Sequence, residues 1–333
     1  MSLTPGRSSP HRWTVFAALL LLAVASIAVC LLIGSVKLQP AQAWQALTHA
    51  EPGLARTLIW ELRLPRALTA FAIGGLLALA GALMQVLLRN PLADPYVMGI
   101  SGGAAITALT ALLLGCSGFA VDASATAGAL GATLLVFALA RGEGGWSSTR
   151  LLLTGVVVAA GAGAIISVLL SLGEDARLRS MLFWLMGDLS LGARPGPLLL
   201  LLAGAVVISL LFARHLNILA RGEAQARMLG IAVPSMRIGL FCGSSLLTAA
   251  AVTAAGSIGF VGLVTPHLMR LLLGPDHRNL LPASVLMGGT LLTLADLLSR
   301  TLIAPRQLPV GALTAMIGVP LFLVLMRRHR SMY

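Results

Sequence analysis

Residues 64–88 read LPRALTAFAIGGLLALAGALMQVLL, and the last 22 of them, 67–88, contain no charged side chain. A helix needs about 20 consecutive apolar residues to cross a bilayer. Lipid offers no hydrogen bonds to a bare backbone, so a segment of this kind must be helical. The stretch therefore predicts a membrane-spanning helix.

The whole chain has the composition of such a segment. Of its 333 residues 58% are hydrophobic and 10% are charged, and the mean hydropathy is +0.94. Soluble domains have roughly 45–50% apolar and about 25% charged residues. The few polar side chains could not cover a soluble core of this size, so lipid is the expected solvent.

Nine further apolar stretches have similar properties, which predicts an all-α integral membrane protein of about ten transmembrane helices in one domain, 1–333. The first resembles a signal peptide, but its length of about 22 residues exceeds the usual 7–15 and favours an uncleaved helix. Gly256, Gly259, Gly262 and Pro266 interrupt the eighth, which predicts a bent or partly re-entrant path over 257–275. The predicted helices are 13–34, 64–88, 96–115, 120–140, 151–172, 195–213, 237–256, 258–274, 281–298 and 309–326.

The net charge of +12 comes almost entirely from arginines. They lie at the ends of apolar stretches and not in one patch, which favours membrane topology over nucleic-acid binding. With ten crossings, 14 of the 23 basic residues fall on the side of the termini. The positive-inside rule then places both termini in the cytoplasm. The other side keeps Lys37, Arg56, Arg63, Arg66, Arg177, Arg179, Arg194, Arg300 and Arg306.

The chain has no recognisable catalytic motif. A P-loop requires a lysine after a glycine-rich turn, and the only lysine, Lys37, lies in the sequence GSVKLQ. The six histidines and three cysteines show no metal-ligand spacing, so we expect no metal and no cofactor.

Several polar residues lie at or between the predicted helices. Taken by itself, the pair of arginines in Arg63-Leu-Pro-Arg66 is typical of side chains that extend from a helix end to the membrane interface. Asp296 lies inside a predicted helix, where an ionised carboxylate needs a partner, and Arg300 follows it at i+4. Either a structural ion pair or a transport role, such as proton coupling in a secondary transporter, explains Asp296. The inner loop 214–236 predicts a short surface helix over 219–229.

Taken together, the motifs resemble the FecCD-type permeases, which import vitamin B12, haem and ferric siderophores. The resemblance extends in family order from about 56 to 326. It rests on Arg63-Leu-Pro-Arg66, Gly81-Ala-Leu-Met-Gln85, Asn90-Pro-Leu-Ala-Asp-Pro95, Gly99-Ile-Ser-Gly-Gly-Ala104, Phe183-Trp-Leu-Met-Gly187, Gly259-Phe-Val-Gly-Leu-Val-Thr-Pro-His267, Asp276-His-Arg278 and Leu308-Pro-Val-Gly311.

This resemblance implies a permease of type II importer architecture in a bacterial inner membrane. It implies a homodimer with two cytoplasmic ATPase subunits, which bind ATP and Mg²⁺, and a periplasmic binding protein. The expected cargo is an iron chelate, haem or a ferric siderophore, with cobalamin as the alternative.

The same resemblance assigns roles to individual residues. Arg179 would guide anionic cargo. Asp188 stands where several relatives have serine or glycine, and this difference leaves the class of cargo open. The remaining roles are binding-protein docking by Arg63, Arg66 and Arg300, a cytoplasmic gate at Asn90, Leu92, Ser148 and Thr149, and ATPase coupling at Glu223, Ala224, Arg227 and Gly230.

Overall fold

A computed structural model describes residues 9–34, 36, 39–48, 53–141, 147–189 and 194–328, and every regular element in these ranges is helical. A π-helical stretch, Leu58–Arg63, joins α3 to α4, and a 3-10 turn, Pro95–Met98, precedes α5. The helices are α1 (Ser9–Leu32), α2 (Pro40–Thr48), α3 (Leu54–Thr57), α4 (Leu64–Leu88), α5 (Ile100–Leu113), α6 (Phe119–Ala140), α7 (Ser148–Ser171), α8 (Asp175–Met186), α9 (Pro195–Leu211), α10 (Ala213–Arg221), α11 (Glu223–Met228), α12 (Val233–Ala255), α13 (Val261–Leu273), α14 (His277–Thr301) and α15 (Val310–Arg328).

The ten predicted segments all correspond to helices. Six are long and apolar enough to cross a membrane: His11–Leu32, Leu54–Leu88, Phe119–Ala140, Thr149–Ser171, Val233–Ala255 and His277–Thr301. A further one is the pair α9 and α10, which bends by 61°. The other three, α5, α13 and Val310–Val324, are shorter apolar helices. The chain is therefore an all-α integral membrane protein, as the sequence predicts.

Three short elements differ from the prediction. Helices α2 and α8 were not expected, because neither is long and apolar enough to resemble a membrane span. The short surface helix predicted over 219–229 is confirmed in part: α11 lies within this range, but the range also includes the end of α10. Two helices occupy this loop, since Gly222 has a φ of +136° and interrupts the chain between α10 and α11.

Helix α4 is the central element of the bundle. It contacts α9, α12, α13 and α14, and nearly all of its residues from Ala67 onward are buried. Small residues make this contact possible. A Cβ added at Gly81 would lie 1.9 Å from the carbonyl oxygen of Gly262, and one at Gly74 would lie 2.2 Å from that of Gly288. Helix packing in membranes depends on such close backbone approach.

The segment between α12 and α13 breaks inside the bundle, as the glycines and proline of this region predict. Helix α13 has 13 residues and is about 20 Å long, shorter than a hydrocarbon core of about 30 Å. The intervening backbone is held by polar contacts. The N–H of Ile258 donates to the hydroxyl of Tyr96 at 3.0 Å, and the N–H of Asp188 donates to the carbonyl of Ala255 at 2.9 Å. Non-helical backbone is tolerated at such depth only when it is satisfied by protein or water.

Each end of the bundle contains a group of paired charged side chains. At one, the start of α4 lies beside Asp296 near the end of α14, and we name this the Asp296 end. At the other, the turn after α4 lies beside Glu223 of α11, and we name this the Glu223 end. Helix α1 begins at the Glu223 end, where the charge of Arg12 acts on Asp276.

Candidate functional site

The Asp296 end contains a buried carboxylate shared by two arginines. Arg66 contacts Asp296 Oδ1 through Nη2 at 2.7 Å and through Nε at 3.0 Å. Arg300 Nε lies 3.1 Å from Asp296 Oδ2. The Asp296 side chain is 1% exposed, so the ion pair is shielded from solvent. The structure thus contains the pair expected from the i+4 spacing and adds Arg66, which the sequence did not associate with Asp296.

Arg63 has a different environment at the same end. It is 5% exposed and donates hydrogen bonds to the carbonyl oxygens of Leu31 at 2.6 Å, of Leu32 at 3.0 Å and of Val36. The first two lie at the C-terminus of α1, where free carbonyls attract cations. All three arginines expected to dock a binding protein therefore contact groups of this chain, and Arg63 faces inward. Their docking role stays a prediction.

A cavity of about 490 Å³ opens near this end of the bundle. Arg179 lies at its wall with the guanidinium 5.7 Å from the centre of the Phe183 ring. Asp188 accepts a hydrogen bond from Gln307 Nε2 at 3.4 Å, so the motif after α8 contacts the segment before α15. The cavity offers aromatic faces, one guanidinium and two carboxylates. Its lining is Leu112, Ser117, Gly118, Val121, Asp122, Arg179, Ser180, Phe183, Trp184, Asp188 and Gln307.

The predicted gate residues Asn90 and Leu92 lie in the turn that follows α4, residues 89–98, which we name the gate turn. Arg89 ends the helix with a φ of +49°, a left-handed conformation that residues other than glycine seldom adopt. The side chain of Asn90 accepts a hydrogen bond from the N–H of Leu92 at 2.9 Å, and Leu92 is 41% exposed. Asp94 likewise caps the 3-10 turn by accepting from the N–H of Tyr96 at 2.8 Å. The segment is therefore preorganised by its own side chains.

The other predicted gate residues lie at the start of α7. Thr149 is exposed, while the side chain of Ser148 lies outside the described part of the chain. Helix α7 packs on the gate turn further along, since a Cβ added at Gly155 would lie 2.8 Å from the carbonyl oxygen of Val97. The structure therefore brings α7 against the 3-10 turn.

The predicted coupling loop lies at the Glu223 end. Ala224, Arg227 and Gly230 are exposed, and Gly230 has a φ of +77°. Met228 and Leu229 are 81% and 60% exposed. This small apolar tip at the end of the bundle is a surface that a partner could contact.

The base of this loop is fixed to α14 by a polar contact. Asn217 donates a hydrogen bond to Asp276 Oδ1 at 2.8 Å, and the N–H of Arg278 donates to the same oxygen at 3.1 Å. Burial alone would raise the pKa of Asp276, but these hydrogen bonds and the charges of Arg278 and Arg12 bring it below its ordinary value. Asp276 is therefore ionised at neutral pH and keeps α10 against α14.

Glu223 is the most highly connected residue of the loop. Its carboxylate forms ion pairs with Arg237 of α12, with Arg89 Nη2 at 3.4 Å and with Arg227 Nη2 at 3.9 Å. Sequence reasoning assigned Glu223 to the loop but missed Arg89 and Arg237. Their separations of 134 and 14 residues from Glu223 match no local pattern, and only the fold brings them together.

Comparison with known proteins agrees with this architecture. The FecCD transport family matches residues 20–328. The vitamin B12 import system permease protein BtuC of Vibrio cholerae is 41% identical over 327 residues, which cover 96% of each chain. The hemin transport system permease protein HmuU of Yersinia pestis is 38% identical over 338 residues, which cover 98% of each chain. A solved inward-facing structure described as a metal-chelate type ABC transporter is 32% identical with a TM-score of 0.82, covering 95% of this chain and 99% of the other.

Proposed function

The chain belongs to the FecCD transport family, and from this membership we propose that it is the membrane-spanning subunit of an ATP-driven importer for a large metal chelate. The observation that carries the proposal is the match over residues 20–328, almost the whole length of the apolar bundle. The chain lacks a P-loop lysine, so ATP hydrolysis must be supplied by another subunit.

The proposed assembly contains two copies of this chain, two ATPase subunits and one binding protein. Its Glu223 end faces the cytoplasm of a bacterial inner membrane, where both chain termini also lie. The excess of arginine on that side supports this orientation. The coupling loop, with exposed Ala224, Arg227 and Gly230, is then available to the ATPase.

Two cargo classes are compatible with the cavity near the Asp296 end. An iron chelate such as haem or a ferric siderophore is supported by Arg179, which could pair with an anionic group, and by similarity to the hemin permease. Cobalamin is supported by the 41% identical vitamin B12 permease and by the Asp122 and Asp188 carboxylates beside Arg179. Carboxylates can accept hydrogen bonds from the amide groups of a corrinoid but would repel carboxylates on a cargo.

The Asp296 end is the proposed docking surface for the binding protein. One carboxylate there serves two arginines, Arg66 and Arg300, so the cluster keeps a net positive charge. That charge would attract carboxylates of an acidic partner. The Arg300→Gln variant should weaken binding of the purified binding protein and reduce its dependence on salt. Unchanged affinity in a folded variant would remove Arg300 from the docking surface.

The runner-up is a proton-coupled secondary transporter that uses Asp296. The structure favours the importer, because Asp296 is 1% exposed and its two carboxylate oxygens contact the guanidinium groups of Arg66 and Arg300. Reconstitution in liposomes separates the two functions. We expect uptake of one chelate class only when the ATPase subunit and ATP are present, and no uptake from a proton gradient alone. Uptake by the purified chain without an ATPase would overturn the proposal.

A further inference from the structure

We propose that Glu223 is a positioning residue that links the coupling loop directly to the gate turn through Arg89. This proposal rests on the importer function proposed above. Movement of the coupling loop would reach the gate turn through the Glu223 carboxylate. Its two partners outside α11 are Arg89 and Arg237.

The ion pairs of Glu223 connect three separate elements. Arg89 ends α4, Arg237 belongs to the first turns of α12, and Glu223 is the first residue of α11. The side chains of Glu223 and Arg237 are 17% and 12% exposed, so water screens this pair only weakly. Arg237 therefore joins the carboxylate to α12. Arg89, whose side chain is 46% exposed, contacts the same oxygen, Oε1, at 3.4 Å.

Arg227 contributes less to the connection. It lies on α11 itself at i+4 from Glu223, and its side chain is 65% exposed. Exposed pairs of this kind contribute little to stability. More importantly, a contact within one short helix cannot transmit movement to another element. Among the three pairs, the one with Arg89 alone joins the loop to the gate turn.

A displacement of the Arg89 side chain would be passed through the local backbone to the gate residues Asn90 and Leu92. The N–H groups of Arg89 and Asn90 donate to the carbonyls of Val86 and Gln85 at 3.2 Å, which fixes the turn to the last turn of α4. Asn90 in turn holds Leu92 through its side chain. The left-handed conformation of Arg89 persists because these contacts determine it. The side chain of Arg89 is thus attached to a rigid segment.

Helix α11 can move as a small rigid unit. It has six residues and lies between Gly222 and Gly230, which have φ angles of +136° and +77°. Glycines in such conformations allow changes of backbone direction that other residues resist. Met228 and Leu229 are exposed, whereas Ala226 of the same segment is buried. A partner that displaces this apolar tip would pull Glu223 and, through it, Arg89.

The test measures cargo transported per ATP hydrolysed in liposomes that contain the complete transporter. We expect Arg89→Gln to lower this ratio about tenfold, within the range known for coupling between sites, while hydrolysis continues. Arg89→Lys keeps the charge and should retain most of the coupling. Arg141→Gln is the matched control, because it removes an exposed arginine at the same end of the bundle and should leave the ratio unchanged.

A double-mutant cycle identifies the partner of Arg89. If the ion pair carries the coupling, Arg89→Gln combined with Glu223→Gln should be no worse than the more severe single variant. Additive losses, or a normal ratio in Arg89→Gln, would overturn the link. If Glu223→Gln does not yield folded protein, the comparison of Arg89→Gln with Arg89→Lys gives the answer, and equal losses in both overturn the link. Wild-type uptake that needs no ATP would instead refute the importer function itself.

Discussion

At the scale of single residues, the Asp296 end holds a buried carboxylate, Asp296, between two arginines, Arg66 and Arg300. A carboxylate in a membrane bundle is stable only with partners, and here two guanidinium groups satisfy both of its oxygens. Removing the carboxylate would leave two like charges facing each other at 15% and 10% exposure. The cost of breaking such a buried pair is therefore much larger than that of a surface pair.

We predict that Asp296→Asn destabilises the protein by about 3–5 kcal/mol. The measurement is the midpoint of denaturant unfolding in detergent micelles, followed by tryptophan fluorescence. Glu174→Gln is the control, since it removes an i,i+3 pair with Arg177 whose glutamate is 76% exposed. Glu174→Gln should lower the free energy of unfolding by less than about 1 kcal/mol. Equal stability of Asp296→Asn and wild type would contradict the assigned role of the cluster.

At the scale of helices, α4 determines how the bundle assembles. Glycines on α4 meet glycines on α13 and α14, so that the backbones touch without intervening side chains. Not every glycine has such a role. Gly239 and Gly243, which have the i,i+4 spacing typical of helix contacts, have no neighbouring atom within 4 Å of an added Cβ.

We predict opposite results for two glycine substitutions. Gly81→Ala places a methyl group 1.9 Å from the carbonyl oxygen of Gly262, so α4 and α13 must separate and the folded protein should be strongly destabilised. Gly131→Ala on α6 meets nothing within 4 Å and should be neutral, or stabilising by up to about 1 kcal/mol through helix propensity. Thermal unfolding in detergent measures both. A harmless Gly81→Ala would contradict the close approach.

At the scale of the whole molecule, the two ends of the bundle have different tasks. In the proposed orientation the Asp296 end receives cargo from the periplasm, while the Glu223 end contacts the ATPase. The native cysteines provide a test of this orientation. Cys116 is exposed after α5, Cys242 lies on the surface of α12 within a membrane span, and Cys30 is buried.

We predict that a membrane-impermeant maleimide labels Cys116 in intact cells from the periplasmic side. Cys242 should react poorly with this hydrophilic reagent because it lies within the apolar span Val233–Ala255, and Cys30 should not react before denaturation because it is buried. The variant Cys116→Ser should therefore lose nearly all labelling. Labelling of Cys116 only after the cells are opened would reverse the proposed orientation.

The amino-acid sequence by itself determined the fold class and the family. Apolar length predicts membrane helices directly, since lipid accepts only backbone that satisfies its own hydrogen bonds. It also indicated the pairing of Asp296 with Arg300, because four residues equal about one helical turn. The sequence could not indicate that α8 and α2 would form or that the surface loop would contain two helices.

Only the tertiary structure decided which distant charges meet. Arg66 lies 230 residues from Asp296, and Arg89 lies 134 residues from Glu223. No periodicity encodes such pairs, because their geometry depends on how α4 packs against α14 and on where the chain turns at Gly222. The environment of Arg63 was likewise not predictable from its local sequence. Its sequence is that of an interfacial arginine, but the packing of α1 against α4 supplies carbonyl acceptors that turn it inward.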